Sequence, residues 1–150
     1  MINNINETIQ DGLNLLIQNK YACVAYCHHG LYTSQAMGIR PLIQPLNNDP
    51  LFFKDAIVID KVIGKSAALL LMYGQAKAIH AQIISEHALK SLQSSNITLT
   101  YDLLVPYIQN NDRTGMCPME ATVLDIDDPT EGLFALRAKI QELMALKTSQ

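Results

Sequence analysis

Hydrophobic residues change their spacing abruptly within residues 57–74. Residues 56–59 form an apolar run that is typical of a buried strand, and Asp60 ends that run. Apolar positions then recur at helical spacing from Val62 to Tyr73, before a helix-ending glycine. The pattern predicts a strand that leads directly into a helix, with Asp60 as the N-cap residue of that helix.

A second change of the same kind follows further along the chain. Residues 78–84 predict a buried strand, and Ser85 stands where the N-cap of a helix over residues 86–92 is expected. The chain therefore contains two predicted strand-to-helix units in succession.

The remaining elements follow from the same rules of spacing and turn chemistry. From the amino end they are a helix over residues 5–18, a β-hairpin with strands 21–27 and 31–34, a short helix beginning at Pro41, a strand over 97–101, a segment 103–108 that is either a short helix or an edge strand, a polar loop over 109–119, and a helix from Pro129 to about Lys147 with Asp128 as its N-cap. Together these elements predict one α/β domain with a central sheet of about five strands. We expect helices on both faces of that sheet, with the last helix packed against one of them.

Composition narrows the classes of function. The chain has 150 residues, 49% of them hydrophobic, and a mean hydropathy of +0.09, which suits one compact domain. A formal net charge of −3 with scattered Lys and Arg argues against a protein that binds nucleic acid. No apolar run is long enough to cross a membrane, and residues 1–12 lack the features of a signal peptide, so we expect a cytoplasmic protein.

Polar residues gather where the predicted strands end and the predicted helices begin. Unpaired N–H groups and the helix dipole make such places favourable for anions and polar ligands. We expect a pocket there that holds a small polar or anionic molecule. The candidate ligand-binding residues are Arg40, Asp60, Lys61, Gly64, Lys65, Ser85, Glu86, Arg113 and Glu120.

The polar loop over residues 109–119 is expected to fold over the Asp60 end of this pocket, because long loops in compact domains are usually functional. In that arrangement Arg113 faces the ligand, and Glu120 turns toward Lys61 or Lys65.

Cys117 and Asp60 are the candidate catalytic residues. A thiol near a cation and a helix start can act as a nucleophile, and the alternative is a small packing residue that anchors the loop. No histidine is close to Cys117 in sequence. A histidine partner would have to be brought in by folding, from His28, His29, His80 or His87.

Residues 64–66, Gly-Lys-Ser at a helix start, suggest a phosphate-binding P-loop. Such a loop needs its first glycine five residues earlier, and Ile59 occupies that place. We therefore expect an ordinary helix start. Lys61 and Lys65 are still expected on one helix face, where they could contact an anion.

Cys23 and Cys27, followed by His28 and His29, have the composition of a metal site. On a strand, however, the two cysteines are roughly 13 Å apart, too far for one ion. Three cysteines in all, with no disulfide spacing, indicate reduced thiols. We expect no bound metal and no cofactor.

Four blocks of sequence resemble a bacterial family known as a domain of unknown function. The blocks are GIRPL (38–42), DKVIGKSAALLL (60–71), SEHAL (85–89) and GMCPME (115–120), and the resemblance runs from about Tyr21 to Ile126. It implies a cytidine-deaminase-like fold, which is a three-layer α/β fold with a mixed sheet and helices on both faces. A single domain over 1–150 then comprises an N-terminal packing helix (1–20), a deaminase-like core (21–126) and a C-terminal helix (127–150).

Zinc-deaminase chemistry requires ligands that these blocks lack. Such enzymes use a His-x-Glu motif at one helix start and Pro-Cys-x-x-Cys at the next. The matching places, residues 60–62 and 84–88, contain neither motif, so we expect no zinc and no hydrolytic deamination. The resemblance then implies a ligand-binding protein whose ligand is nucleoside-like by analogy of fold. The alternatives are a homodimeric interaction or regulatory protein that associates through its first and last helices, and a thiol-dependent enzyme that uses Cys117.

Overall fold

The computed structural model describes residues 4–148. In chain order the elements are α1 (Asn4–Gln18), β1 (Cys23–Cys27), β2 (Gly30–Ser34), α2 (Arg40–Asn48), β3 (Ile57–Ile63), α3 (Lys65–Tyr73), β4 (Ala78–Ser85), α4 (Glu86–Gln93), β5 (Thr98–Val105), α5 (Pro118–Thr122) and α6 (Pro129–Thr148). None of the helices in this range is both long and apolar enough to cross a membrane. The ends of the predicted domain, residues 1–3 and 149–150, lie outside the described residues.

The five strands form one mixed sheet in the order β2-β1-β3-β4-β5. β1 is antiparallel to β2 and β3, whereas β3, β4 and β5 are parallel to one another. The register sets Cys23 opposite Asp60 on one side and Ala81 opposite Asp60 on the other. Because the parallel strands end at the same edge of the sheet, the segments that follow them meet there.

Helices cover both faces of the sheet. On one face α1 packs against β1 and β3, where Leu16, Val24 and Ile59 form a buried cluster. The other face carries the main core, to which α2, α3, α4 and α6 contribute. This arrangement confirms the predicted three-layer α/β fold with a mixed sheet.

The central helix α3 is buried on all sides, since every residue from Lys65 to Leu71 is inaccessible or nearly so. α6 packs against its outer side so closely that a Cβ atom at Gly132 would lie 2.9 Å from Leu69. The last helix therefore contacts the body mainly through α3 and α5.

Two predicted boundaries are wrong, because both strands run further than their hydrophobic pattern indicates. β3 continues past Asp60, since residues 60–63 keep pairing with β4. α3 therefore begins at Lys65 with Gly64 as its N-cap, and Asp60 does not cap it. β5 extends to Val105 at the edge of the sheet. Of the two alternatives for residues 103–108, a short helix or an edge strand, the structure therefore shows the edge strand for residues 103–105.

Two predicted helix caps are correct. The Ser85 hydroxyl group accepts a hydrogen bond from the Ala88 backbone N–H at 3.0 Å. The Asp128 carboxyl group accepts one from the Glu131 backbone N–H at 2.8 Å. Both caps depend only on residues close in sequence, which is why their pattern is informative.

Candidate functional site

A small cavity lies at the edge of the sheet where β3 ends and α3 begins. Its volume is about 150 Å³, and we call it the Asp60 cavity. Its walls come from β3, α3, the segment before α2 and the loop that leads into α5. The lining residues are Ala22, Met37, Gly38, Ile39, Asp60, Lys61, Val62, Gly64, Ser66, Ala67, Ile108, Cys117, Met119 and Glu120. The loop end that carries Cys117 and Glu120 thus lies at the Asp60 mouth.

Asp60 is a buried carboxyl group that makes no salt bridge within residues 4–148. Only 4% of the residue is exposed, and Oδ1 accepts a hydrogen bond from the Val62 backbone N–H at 3.2 Å. Burial raises the pKa of Asp60 to about 7, although the Val62 and Lys61 amides lower it in part. Near neutral pH, Asp60 is therefore able both to donate and to accept a proton.

Glu120 joins three separate segments at the end of the sheet, and only 1% of the residue is exposed. Its Oε2 accepts hydrogen bonds from the Lys65 backbone N–H at 2.6 Å and from Ser85 Oγ at 2.5 Å. Its Oε1 accepts one from the Ile108 backbone N–H at 2.7 Å. We call this arrangement the Glu120 clamp. The chain's own carboxyl group thus lies between the N-termini of α3 and α4, where an anionic ligand was expected.

The ammonium group of Lys65 is held away from the Asp60 cavity. Its Nζ donates to the Leu124 backbone oxygen at 2.7 Å and lies 3.5 Å from Asp127 Oδ1. Of the two predicted neighbours of Glu120, Lys61 and Lys65, the structure brings Lys65 to it, but through the Lys65 backbone N–H and not through the ammonium group. Lys61 does not share a helix face with Lys65 either, since it lies on β3 at the rim of the Asp60 cavity.

Four other predicted ligand-binding residues do not line the Asp60 cavity, and one of them, Ser85, is buried in the Glu120 clamp. Arg40 and Glu86 are exposed, each at the first position of its helix. Arg113 lines a neighbouring cavity of about 590 Å³, which we call the Arg113 cavity. The remaining lining residues are Val62, Ile83, Val105, Pro106, Tyr107, Ile108, Gln109, Asn110 and Asn111. The nine predicted residues therefore do not form a single pocket.

Residues 108–117 fold as a compact hairpin, which explains this separation. The Cys117 backbone N–H donates to the Ile108 oxygen at 2.7 Å. Near the tip, the Thr114 backbone N–H donates to the Asn110 side chain at 3.0 Å. The predicted lid is therefore a hydrogen-bonded hairpin, and its residues contribute to the lining of both cavities.

Cys117 lines the Asp60 cavity, but no histidine lines it. His80 is bonded to Thr100 on β5, with a distance of 2.7 Å between Nδ1 and Oγ1, and His87 lines a different cavity. The structure therefore does not supply the histidine that an activated thiol at this site would need. The nearest acidic groups in the cavity are Asp60 and Glu120.

The other two thiols, Cys23 and Cys27, have raised pKa values, so little of either is present as the reactive thiolate. Cys23 is fully buried opposite Asp60, and burial, followed by the charge of Asp60, raises its pKa well above the ordinary value. Burial also raises the pKa of Cys27, to about 11. Across the part of the chain that the structure describes, no group of three or more His, Cys, Asp or Glu side chains is placed to hold a metal ion.

Several cavity residues are missing from the sequence-based prediction. Ser66 belongs to the Gly-Lys-Ser pattern, so a small polar residue at a helix start was a usable signal for it. Ile39 and Ile108 have no such signal, because their place depends on how α2 and the hairpin pack against β3.

Comparison with known proteins identifies the family of the chain. The profile of a family described as a domain of unknown function, DUF1893, matches residues 12–140. The crystal structure of a DUF1893 family protein from Thermotoga maritima is similar, with 29% sequence identity, a TM-score of 0.79 and coverage of 87% of this chain and 88% of that chain. No curated protein matches the chain. Since the profile spans most of the sequence, and the four sequence blocks indicate the same kind of family, the protein belongs to the DUF1893 family.

Proposed function

We propose that the protein binds a small polar molecule, uncharged or cationic, in the Asp60 cavity and exchanges a proton with it through Asp60. The observation that supports this most directly is a buried carboxyl group without a counterion that lines a cavity. Such a group is unfavourable for folding, and groups of this kind are concentrated at functional sites.

Charge in the Asp60 cavity supports a ligand without negative charge. Glu120 already accepts the Lys65 backbone N–H at the start of α3 and the Ser85 hydroxyl group at the start of α4, and Lys65 Nζ binds Leu124. Lys61, at the rim, is the one cationic side chain that lines the cavity. An anion there would be repelled by the Asp60 and Glu120 carboxyl groups. The sequence predicts a polar or anionic ligand. The charges in the cavity favour a polar ligand and disfavour an anionic one.

The size of the cavity limits the ligand. A volume of about 150 Å³ is well below the roughly 300–1,000 Å³ of sites that hold drug-sized molecules. A single ring or a short chain with hydrogen-bonding groups suits it. The resemblance to cytidine-deaminase-like proteins makes nucleobases and nucleosides the first candidates.

Thermal-shift and calorimetric titrations with nucleobases, nucleosides and small amines test this proposal. We expect stabilisation by at least one of them, with an affinity that changes as the pH passes through the pKa of Asp60. Asp60→Asn should remove this pH dependence. Ligands that stabilise the wild-type protein and the variant equally at all pH values would contradict the role of Asp60. Lys65→Ala is unsuitable, because the Lys65 side chain donates to the Leu124 backbone oxygen and does not line the Asp60 cavity.

Self-association is a second candidate function, and α6 favours it. Phe134 and Met144 on this helix are 60% and 61% exposed, and exposed apolar side chains are typical of interaction surfaces. We expect analytical ultracentrifugation to show a dimer that Phe134→Lys converts to a monomer. A monomer at all concentrations would rule this candidate out.

A further inference from the structure

We infer that the ligand of this protein has two parts, an uncharged or cationic head in the Asp60 cavity and an oxyanion tail in the Arg113 cavity. The inference rests on the function proposed for the Asp60 cavity and adds the class of molecule that it takes. A sugar phosphate or nucleoside monophosphate has this division of charge.

The two cavities share part of their lining. Val62 and Ile108 line both of them, so the two cavities adjoin at these residues, where a single ligand would pass from one to the other. The volumes differ, at about 150 Å³ and about 590 Å³. A small head and a larger remainder therefore fit the pair of cavities better than two separate ligands of equal size.

Opposite charges line the two cavities. Two acidic residues, Asp60 and Glu120, line the smaller one with Lys61 at its rim, whereas Arg113 is the one charged residue that lines the larger one. An oxyanion is therefore repelled from the first cavity and attracted to the second. One ligand can occupy both cavities favourably only if its negative charge lies at the end that enters the Arg113 cavity.

The Arg113 side chain is available for such a tail. It makes no hydrogen bond or salt bridge with the residues that the structure describes, although its backbone N–H donates to the Asn110 oxygen at 3.1 Å. Its backbone φ of 58° lies in the left-handed region, which is uncommon for arginine and has an energetic cost. The planar guanidinium group matches phosphate or carboxylate oxygens with paired donors.

Between the two ends, the shared wall is apolar. Val62 is 39% exposed although it is a β-branched apolar residue on a strand, and Tyr107 is 37% exposed beside it in the larger cavity. A sugar ring or a short carbon chain would cover this surface and connect head to tail.

Titration calorimetry with a nucleoside and its 5′-monophosphate tests the inference. The wild-type protein should bind the monophosphate roughly tenfold more tightly, as one charge-assisted contact allows. Arg113→Asn should abolish the difference and leave nucleoside binding unchanged, since asparagine tolerates the left-handed backbone. Arg40→Asn, at an exposed arginine outside both cavities, is the matched control and should keep the difference.

The outcomes separate this inference from the proposed function. Equal binding of nucleoside and monophosphate, with a pH dependence that Asp60→Asn removes, would overturn the two-part ligand and leave the Asp60 site intact. Monophosphate binding that requires Arg113 and is indifferent to Asp60→Asn at every pH would keep the anion site and overturn the proposed function. Binding of neither compound, with no response to inorganic phosphate, would overturn the inference.

Discussion

The hydroxyl group of Ser85 and the carboxyl group of Glu120 lie 2.5 Å apart, and both residues are buried. Ser85 Oγ also accepts the Ala88 backbone N–H, so one hydroxyl group connects the start of α4 to α5. Glu120 extends the connection to α3 through the Lys65 backbone. The elements that build the site are thus held together by side-chain oxygens.

Glu120→Gln should lower the free energy of unfolding by about 1–3 kcal/mol. Both carboxyl oxygens accept backbone N–H groups, from Lys65 and Ile108, whereas an amide has one oxygen. Whichever way the amide turns, its NH₂ group faces one buried N–H and leaves it unsatisfied. Urea unfolding followed by circular dichroism measures the change.

Glu86→Gln is the control for that variant. It makes the same chemical change at an exposed glutamate at the start of α4. Its effect should stay within about 0.5 kcal/mol. If both variants unfold at the same urea concentration as the wild-type protein, the Glu120 clamp does not stabilise the fold.

Asp60→Asn should flatten the dependence of stability on pH. The pKa of Asp60 is about 7 in the folded protein and 3.8 without its environment. Between these values the folded chain keeps a proton that the unfolded chain has released, so the free energy of unfolding falls as the pH rises from about 4 to about 7. The loss is complete above that range and amounts to up to about 4 kcal/mol, which the variant should regain.

Asp125→Asn tests whether the pH dependence of the free energy of unfolding results from the burial of Asp60. Asp125 is exposed, so its replacement should leave the pH profile of the wild-type protein unchanged. Thermal unfolding across the same pH range provides the comparison. A wild-type protein whose stability does not fall between pH values of about 4 and about 7 would contradict the raised pKa of Asp60.

Gly64→Ala should destabilise the protein by about 1–3 kcal/mol and open the Glu120 clamp. A Cβ atom at Gly64 would lie 2.9 Å from Ile108 Cγ1 and 3.0 Å from Glu120 Oε2. Hydrogen exchange of the Lys65 backbone amide should become faster, because that amide loses its acceptor. Gly115→Ala is the control, since nothing lies within 4 Å of its added carbon. Similar exchange in both variants would show that Gly64 is not a packing requirement.

Iodoacetamide should modify Cys117 before the other two cysteines, as mass spectrometry of digested samples would show. Burial raises the pKa of Cys23 and Cys27, which reduces the thiolate fraction of both. Cys117 is partly exposed in the Asp60 cavity, so a bound ligand should slow its modification. Preferential labelling of Cys27, or no protection of Cys117 by a ligand that binds, would contradict the assigned cavity.

Local patterns predicted the local features of this protein well. Ser85 and Asp128 were identified as caps because a cap depends on the next three residues. Asp60 has an equally suitable residue type, yet its backbone continues in β3, because pairing with β4 determines where the strand ends. That pairing lies outside the range of any local pattern.

The site was harder to predict because its contacts are distant in sequence. Glu120 is separated from Lys65 by 55 residues and from Ser85 by 35. The sequence suggested that the loop returns to Asp60, and it does. It did not indicate that the glutamate would bind backbone N–H groups, nor that the hairpin would direct Arg113 into a separate cavity.

The tether on Glu120 makes this carboxyl group an internal ligand with a high effective concentration. Short tethers hold a group at roughly millimolar concentration or above. A dissolved anion must exceed that level to compete with Glu120 for its two donors at the starts of α3 and α4, the Lys65 backbone N–H and the Ser85 hydroxyl group. They become available only if the backbone from the hairpin to α5 moves away. Access of an anion to these donors would therefore depend on the position of the segment from the hairpin to α5 more than on the concentration of the anion.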